Sequence, residues 1–427
     1  MRIFLLIVLF FLILSPTVKA LQLSADARIS IITCNPGEEV YTMYGHTAIR
    51  IIDPAYGIDV VYNYGIFSFE SPNFLYRFAK GQTDYLMIGQ EFSSFMPEYL
   101  KEKRSVYEQV LNLSVEGKNQ LFQALAENAK KENRVYRYNF FMDNCATRVR
   151  DMIEKNAGAQ VRFSDNHPTK SFRDLIKEFH QPFRWFDLGI DLLVGKKADE
   201  AVSAYGQMFL PEYLMNQFAK AEIVVDGKAQ PLVKETFTML DFPNYKQQSD
   251  LPWPAIVFGL IFLVVAGISV RSFLRRTKTD WLDYWLFALS GVAGLIIGWF
   301  TLFSEHPAVS PNYNLLWAFP LNLFFAGAWA VKKWRPITRY YFWMSGAALL
   351  LSFVMGQHLN PAVYFIILTL LVRVAVNLVP EKTNRILVDL GAKYQNTKYL
   401  FHACQTQFPR WNAEYPKVPY KTMFFCK

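Results

Sequence analysis

The sequence is short of charge. Asp, Glu, Lys and Arg make up 19% of its 427 residues, where about a quarter is usual for a soluble protein. Cysteine is scarce, with four in all, which excludes a disulfide-stapled mini-protein. No internal repeat or low-complexity tract is present, and 16% aromatic residues exclude a disordered scaffold. There is no glycine-rich loop to cradle phosphate. His46, His167, His180 and the cysteines are scattered without ligand spacing, so neither a metal nor a cofactor is expected. What the chain has instead is hydrocarbon: 52% of it is hydrophobic.

That hydrocarbon is unevenly placed. Residues 21–250 read as a soluble domain, whereas 251–378 is mostly long apolar runs. Charge divides in the same way. Residues 1–250 carry 28 Lys+Arg against 30 Asp+Glu, and residues 251–427 carry 17 against 6. A basic excess confined to the apolar half reports membrane topology, not nucleic-acid binding. A purely cytosolic enzyme is excluded.

The N-terminus reads as an export signal over residues 1–20. Arg2 precedes an apolar run from Ile3 to Leu14, and Val18-Lys19-Ala20 supplies a small-residue exit. The run is shorter than the roughly 20 residues that span a bilayer; an uncleaved anchor is the alternative. Spans are expected at 253–270, 284–303, 315–331, 340–357 and 361–378. The loop after the first holds Arg271, Arg275, Arg276 and Lys278, and the loop after the third holds Lys332, Lys333, Arg335 and Arg339. The loops after the second and fourth have no Lys or Arg. The alternation obeys the positive-inside rule. It predicts a multi-pass membrane protein with residues 21–250 outside the cytoplasm, a transmembrane domain over 251–380 and a cytoplasmic tail over 381–427.

Cys34 and Cys145 fall in the exported domain, and Cys404 and Cys426 in the tail. The exported pair either forms a disulfide or includes a reactive thiol. The surroundings of Cys145 favour the thiol. Asp143 or Asn144 is a natural N-cap, and Val149, Met152 and Ile153 follow at helical spacing. Cys145 therefore belongs to the first turn of a helix, whose N-terminus favours the thiolate. His46 follows Gly45 at the start of a strand, Pro54 to Gly57 forms a turn, and Asp59 to Phe67 reads as the return strand. A helix-start Cys with a strand His supplies a nucleophile and its base. The bland readings are a structural histidine and a small buried hydrophobe. A third group, orienting the imidazole, should lie on the neighbouring strand; Asn63 is the candidate, with Tyr64 behind it. The backbone N–H of Cys145 is a candidate oxyanion donor.

Thr33-Cys-Asn-Pro-Gly, Tyr44-Gly-His-Thr-Ala-Ile-Arg, Tyr62-Asn-Tyr-Gly, Asp143-Asn-Cys-Ala-Thr-Arg and Met208-Phe-Leu-Pro precede His306-Pro and Asn314-Leu-Leu-Trp317. In this the chain resembles the Lnb family of Bacteroidota membrane proteins, and more broadly the circularly permuted NlpC-type, papain-like superfamily that includes lecithin–retinol acyltransferase. The resemblance covers the mature chain to about residue 380. It implies an α+β papain-like extracytoplasmic domain, about 21–195 with a mixed helical segment to 250, followed by an all-α five-helix transmembrane domain. It also implies lipoprotein N-acylation: an acyl chain passes from a phospholipid through Cys145 to the amine of a diacylglyceryl-cysteine lipoprotein. Phospholipid donor, diacylated lipoprotein acceptor and membrane lipids are then the partners. The alternatives are a membrane-tethered cysteine peptidase or amidase acting on cell-wall peptides, and a non-catalytic lipid-binding protein.

Candidate substrate-contacting residues are Tyr44, Tyr64, Asn144 and Arg148 around the pair. His306, Asn314 and His358 join them from the outward loops, where Asn312 and Asn360 are alternatives to ordinary capping. Arg148 and Arg150 either bind phosphate or pair with Asp143 or Asp151. Arg373, inside the fifth span, either snorkels or pairs. The stretch Trp185 to Asp191 reads as core and turn.

Overall fold

The structure is a computed structural model that describes residues 21–164, 169–181, 183–242 and 251–379. The expected export signal, the cytoplasmic tail with its two cysteines, and His167 lie outside the described residues. The chain forms two compact units. The first comprises the chain up to Pro254 with Ile297–Tyr313 and Gly356–Asn360; the second comprises Ala255–Ile296, Asn314–Met355 and the chain from Pro361.

The first unit is built on a seven-stranded antiparallel sheet. Its strands are β1 (Arg28–Cys34), β2 (His46–Asp53), β3 (Ile58–Ile66), β4 (Asp84–Glu91), β5 (Val106–Leu111), β6 (Val135–Arg137) and β10 (Val233–Leu240), in the order β10-β5-β1-β2-β3-β4-β6. The expected hairpin forms: β2 pairs with β3, Ala48 opposite Asn63, across a turn that Gly57 closes at a φ of 63°. Side chains alternate between two cores because strand residues alternate faces. Ile29, Ile31, Ile49 and Ile51 enter one core with Val149 and Ile153; Ile32, Ala48 and Val61 enter the other with Phe95 and Tyr99. Both faces are thus covered, and polar residues within β1 and β2 are buried with them: Ser30 and Arg50 both bind Glu108 of β5.

Helices α1 (Phe74–Lys80), α2 (Phe92–Glu102), α3 (Val115–Asn128) and α4 (Cys145–Asn156) follow in chain order. α4 packs on β2 and β3, and α2 packs on β3 and β4. Gly117 lets α3 approach the end of α4, since a Cβ there would lie 2.2 Å from the Ala157 carbonyl oxygen. Helices α5 (Phe172–His180), α6 (Arg184–Leu193), α7 (Ala204–Gln207) and α8 (Pro211–Phe218) complete the unit, with a small sheet of β7 (Gln160–Arg162), β8 (Glu222–Val225) and β9 (Lys228–Pro231). Residues 196–250, expected as a mixed helical segment, also supply β8, β9 and the edge strand β10. The main sheet is therefore completed by a strand from outside the expected papain-like core. A lone edge strand has little local sequence signature, because its partner β5 is more than a hundred residues earlier.

The second unit is helical: α9 (Trp253–Arg275), α10 (Asp280–Phe303), α11 (Leu321–Ala330), α12 (Arg335–Leu351) and α13 (Pro361–Leu378). All five expected spans contain a helix, but three are long and apolar enough to cross a membrane among the described residues: α9, α10 and α13. α11 has 10 residues and α12 has 17, below the roughly 20 that a full crossing needs. Pro320 and Pro336 punctuate this region, and a hydropathy run does not register such breaks. Arg373 pairs instead of snorkelling. Its guanidinium meets both Asp283 oxygens at 2.7 and 2.8 Å, and also Ser269 and Thr279. Asn322 forms a second polar node, donating to Ser290 and to the Trp317 carbonyl and accepting from Tyr341. Gly294 allows close approach, as a Cβ would sit 2.0 Å from the Ala318 carbonyl oxygen.

Candidate active site

Helix α4 begins where its cap dictates. Asn144 Oδ1 accepts from the backbone N–H of Ala146 and Thr147, both at 2.9 Å, and Thr147 Oγ1 accepts from the Asn144 N–H at 2.8 Å. This reciprocal capping box fixes Cys145 as the first helical residue. β2 presents His46 at its first position, opposite Cys34 of β1. The two side chains meet at Gly65, which has a φ of +91°. A Cβ at that position would lie 3.6 Å from the Cys145 Cβ and 4.0 Å from His46 Cε1. The two side chains thus border the same glycine, with no side chain between them there.

Asn63 lies on β3 and places Oδ1 2.6 Å from His46 Nε2. With an amide oxygen on that side the ring carries its proton on Nε2, which leaves the lone pair on Nδ1. Burial, partly opposed by the Asn63 hydrogen bond and slightly reinforced by Arg104, lowers the His46 pKa to about 4. Burial likewise pushes the Cys145 thiol up to about 11, against the backbone N–H groups of Thr47, Ala146 and Cys145, which favour the thiolate. The expected helix-terminus effect is present but outweighed. The resting pair is a neutral thiol beside a neutral imidazole, and the thiolate has to be made by proton transfer. Cys34 is a free thiol, as is Cys145, so the disulfide alternative is not realised. Cys34 is buried, with its pKa pushed up to about 12 by that burial.

The remaining candidates are placed as follows. Arg148 is held bidentately by Asp143 at 2.5 and 2.7 Å and lies 4.1 Å over the Tyr136 ring. Arg150 pairs with Asp151 and stacks on Tyr205. Asn144, besides capping α4, donates from Nδ2 to the carbonyls of Phe140 and Phe209, so the backbone engages its whole amide. Tyr64 is buried, and its hydroxyl donates to Asn128 at 2.6 Å. His306 Nε2 lies 2.9 Å from the Phe78 carbonyl, to which it donates. His358 donates its backbone N–H to Asp199. Asn314 belongs to the second unit, where it accepts from the Trp317 indole at 3.0 Å.

Tyr44 opens a polar chain that the sequence analysis does not anticipate. Its hydroxyl lies 2.6 Å from His180 Nε2, and His180 Nδ1 lies 3.0 Å from Asp187. Asn360 donates to Asp187 and Asp191. Asp191 also pairs with Lys177 and Arg173, and Arg173 reaches Asp199 at 2.6 Å. Burial would raise the Asp191 pKa, but Lys177 and Arg173 together hold it below the usual carboxylate range. The stretch expected to be core and turn thus carries the charged centre of this chain of contacts. Asn312, Gln357 and Asn360 serve it structurally: Asn312 binds the carbonyls of Leu192 and Leu193, and Gln357 donates to Asn312. A signal was available in His180, Asp187 and Asp191, ionisable residues at seven- and four-residue spacing among aromatics. Among the described residues, no group of three or more His, Cys, Asp and Glu is arranged to hold a metal ion.

A mixed α/β domain in which a Cys and a His border one glycine and an Asn hydrogen-bonds that His, followed by a helical region with three candidate spans, defines a membrane protein with a thiol-bearing folded domain. Comparison with known families gives two matches: residues 19–178 to the Lnb N-terminal periplasmic domain, and residues 246–385 to the Lnb transmembrane domain. The chain belongs to the Lnb family, and its first domain is periplasmic. No curated protein and no solved structure matches it.

Proposed function

We propose that the protein is a lipoprotein N-acyltransferase of the inner membrane that uses Cys145 as nucleophile. The observation that carries this reading is that Cys145 and His46 both border Gly65 and that Asn63 hydrogen-bonds His46, in a family whose chain joins a periplasmic domain to a transmembrane one. His46 Nδ1 takes the thiol proton as sulfur attacks the ester carbonyl of a phospholipid. The tetrahedral oxyanion is met by backbone N–H groups at the start of α4, the Cys145 N–H first among them. Collapse breaks the ester C–O bond, and His46 returns its proton to the departing lysolipid oxygen. The amine of a diacylglyceryl-cysteine lipoprotein then attacks the thioester. An amide forms, the C–S bond breaks, and the amine proton passes through His46 to the regenerated thiol.

A neutral resting pair suits this sequence. A thiol with a pKa near 11 becomes nucleophilic only when a substrate carbonyl and the imidazole are both in place, which limits idle hydrolysis. The test is mass spectrometry of a reporter lipoprotein's N-terminal peptide. It is taken from cells lacking native N-acylation that express this protein or its Cys145→Ala variant. An added acyl mass with the wild type only is the expected result. No added mass from well-expressed protein overturns the reaction; a gain that survives Cys145→Ala overturns the nucleophile.

A further inference from the structure

Helix α1 and the loop before it carry an apolar face that this unit does not cover. Phe69 is 61% exposed, Leu75 78%, Tyr76 56% and Phe78 45%. A single exposed apolar residue needs no explanation, but a contiguous group on one short helix does.

What α1 is fastened to identifies the occupant. Its last carbonyls bind the residues that directly follow α10, a helix long and apolar enough to cross a membrane. Ser304 Oγ donates to the Ala79 carbonyl at 2.8 Å, the Glu305 N–H to the Lys80 carbonyl at 2.8 Å, and His306 Nε2 to the Phe78 carbonyl at 2.9 Å. The Tyr76 ring lies 6.0 Å from that of Trp299 in α10. Leu302 and Phe303, at the end of α10, are exposed beside this junction. α1 is thus fastened to the last turn of, and the residues just after, a helix long and apolar enough to cross a membrane.

Behind α1 a file of rings runs inward. The Phe69 ring lies 4.9 Å from Phe67, Phe67 lies 4.9 Å from Tyr85, and Tyr85 stacks on Tyr138 at 4.1 Å. Phe67 is two residues beyond Gly65, and Phe67, Tyr138 and Cys145 all border the same apolar core. A Cys145 thiolate would also be felt by the Tyr85 and Tyr138 hydroxyls.

We propose that α1 and its preceding loop form a lip seated in the outer surface of the bilayer that α10 crosses, and that the ring file from Phe69 to Tyr138 guides a lipid acyl chain from that bilayer to Cys145. The seating stands on geometry alone; the guiding role rests on the acyl-transfer reading.

Two measurements on the full-length protein in phospholipid vesicles separate them. First, an environment-sensitive fluorescent amino acid is placed at position 75 or, as a control, at the exposed Glu132. The probe at 75 should be quenched by a nitroxide on the lipid chain and shielded from aqueous iodide, with the reverse at 132. Equal iodide quenching at both positions overturns the lip. Second, a phospholipid bearing a diazirine at its chain end is photolysed with the Cys145→Ala variant, so that no turnover is needed. Adducts on Phe67, Tyr85 or Tyr138 are expected. Adducts confined to the spanning helices overturn the guiding role, whatever reaction Cys145 performs.

Discussion

At the scale of the residue, the site depends on two neutral groups kept neutral by burial. Below its pKa a thiol gains thiolate about tenfold per pH unit. Alkylation of Cys145 by iodoacetamide should therefore climb from pH 7 toward about 11. A rate that is flat above pH 7 would mean that His46 already holds the proton at rest. The same shifts set a stability window. His46 titrates lower in the fold than in the unfolded chain, which binds the extra proton, so stability falls as pH drops from 6.5 toward 4. Cys145 titrates higher in the fold, so stability falls as pH rises from 9 toward 11. Denaturation midpoints should be highest between those limits. Gly65 offers a sharper test. Gly65→Ala imposes a side chain at a φ of +91° and puts a methyl 3.6 Å from the Cys145 Cβ. The variant should fold yet lose most acyl transfer. Asn63→Ala frees the imidazole to turn and should cost about 10²-fold in kcat/KM, with thiol reactivity at pH 10 little changed.

At the scale of the element, features coded within a few residues were readable and those coded across the chain were not. The β2–β3 hairpin was legible because Gly57 and the alternating Ile residues are local signals, and the start of α4 because Asn144 caps it. From these two elements Cys145, His46 and Asn63 followed. The edge strand β10 and the shortness of α11 were not legible, since pairing partner and helix breaks are set by tertiary context. The charge state of Cys145 was misjudged for a related reason: a helix terminus is visible in sequence, whereas the burial that outweighs it is not. Asn144→Ala removes the cap and leaves buried N–H groups without their acceptor. It should destabilise the periplasmic domain by about 1–2 kcal/mol and displace Cys145, so activity should fall further than stability. In the second unit, Arg373→Met strands Asp283 in an apolar setting and should cost about 3–5 kcal/mol. Adding Asp283→Leu should restore much of that. If the double variant is as unstable as the single, the pair is not what joins these helices.

At the scale of the whole molecule, the polar chain from Tyr44 through His180, Asp187 and Asn360 to Asp191 and Arg173 links the start of β2 to residues 356–360. Asn360 and Asp187 are 173 positions apart in sequence, so no local pattern announces their contact. Tyr44 stands two residues before His46 and is braced by His180 and by the Phe140 ring at 4.5 Å, so the chain of contacts ends beside the base we propose for Cys145. Arg173 is 1% exposed and contacts two carboxylates and two backbone carbonyls. Removing it leaves buried negative charge that only Lys177, on Asp191, and the more distant Lys196, on Asp199, remain to offset. Arg173→Met should therefore destabilise the periplasmic domain strongly at neutral pH and less under acid conditions, where Asp191 takes up a proton. The wild type behaves oppositely: the Asp191 pKa is lowered in the fold, so its contribution is complete above the unfolded value of 3.8 and is lost as pH falls through the folded one. Thermal unfolding of both proteins from pH 7 to pH 3 should show the two curves converging. Parallel curves would show that Arg173 acts by packing and not by charge, and the polar chain would then have no electrostatic hold on the position of β2.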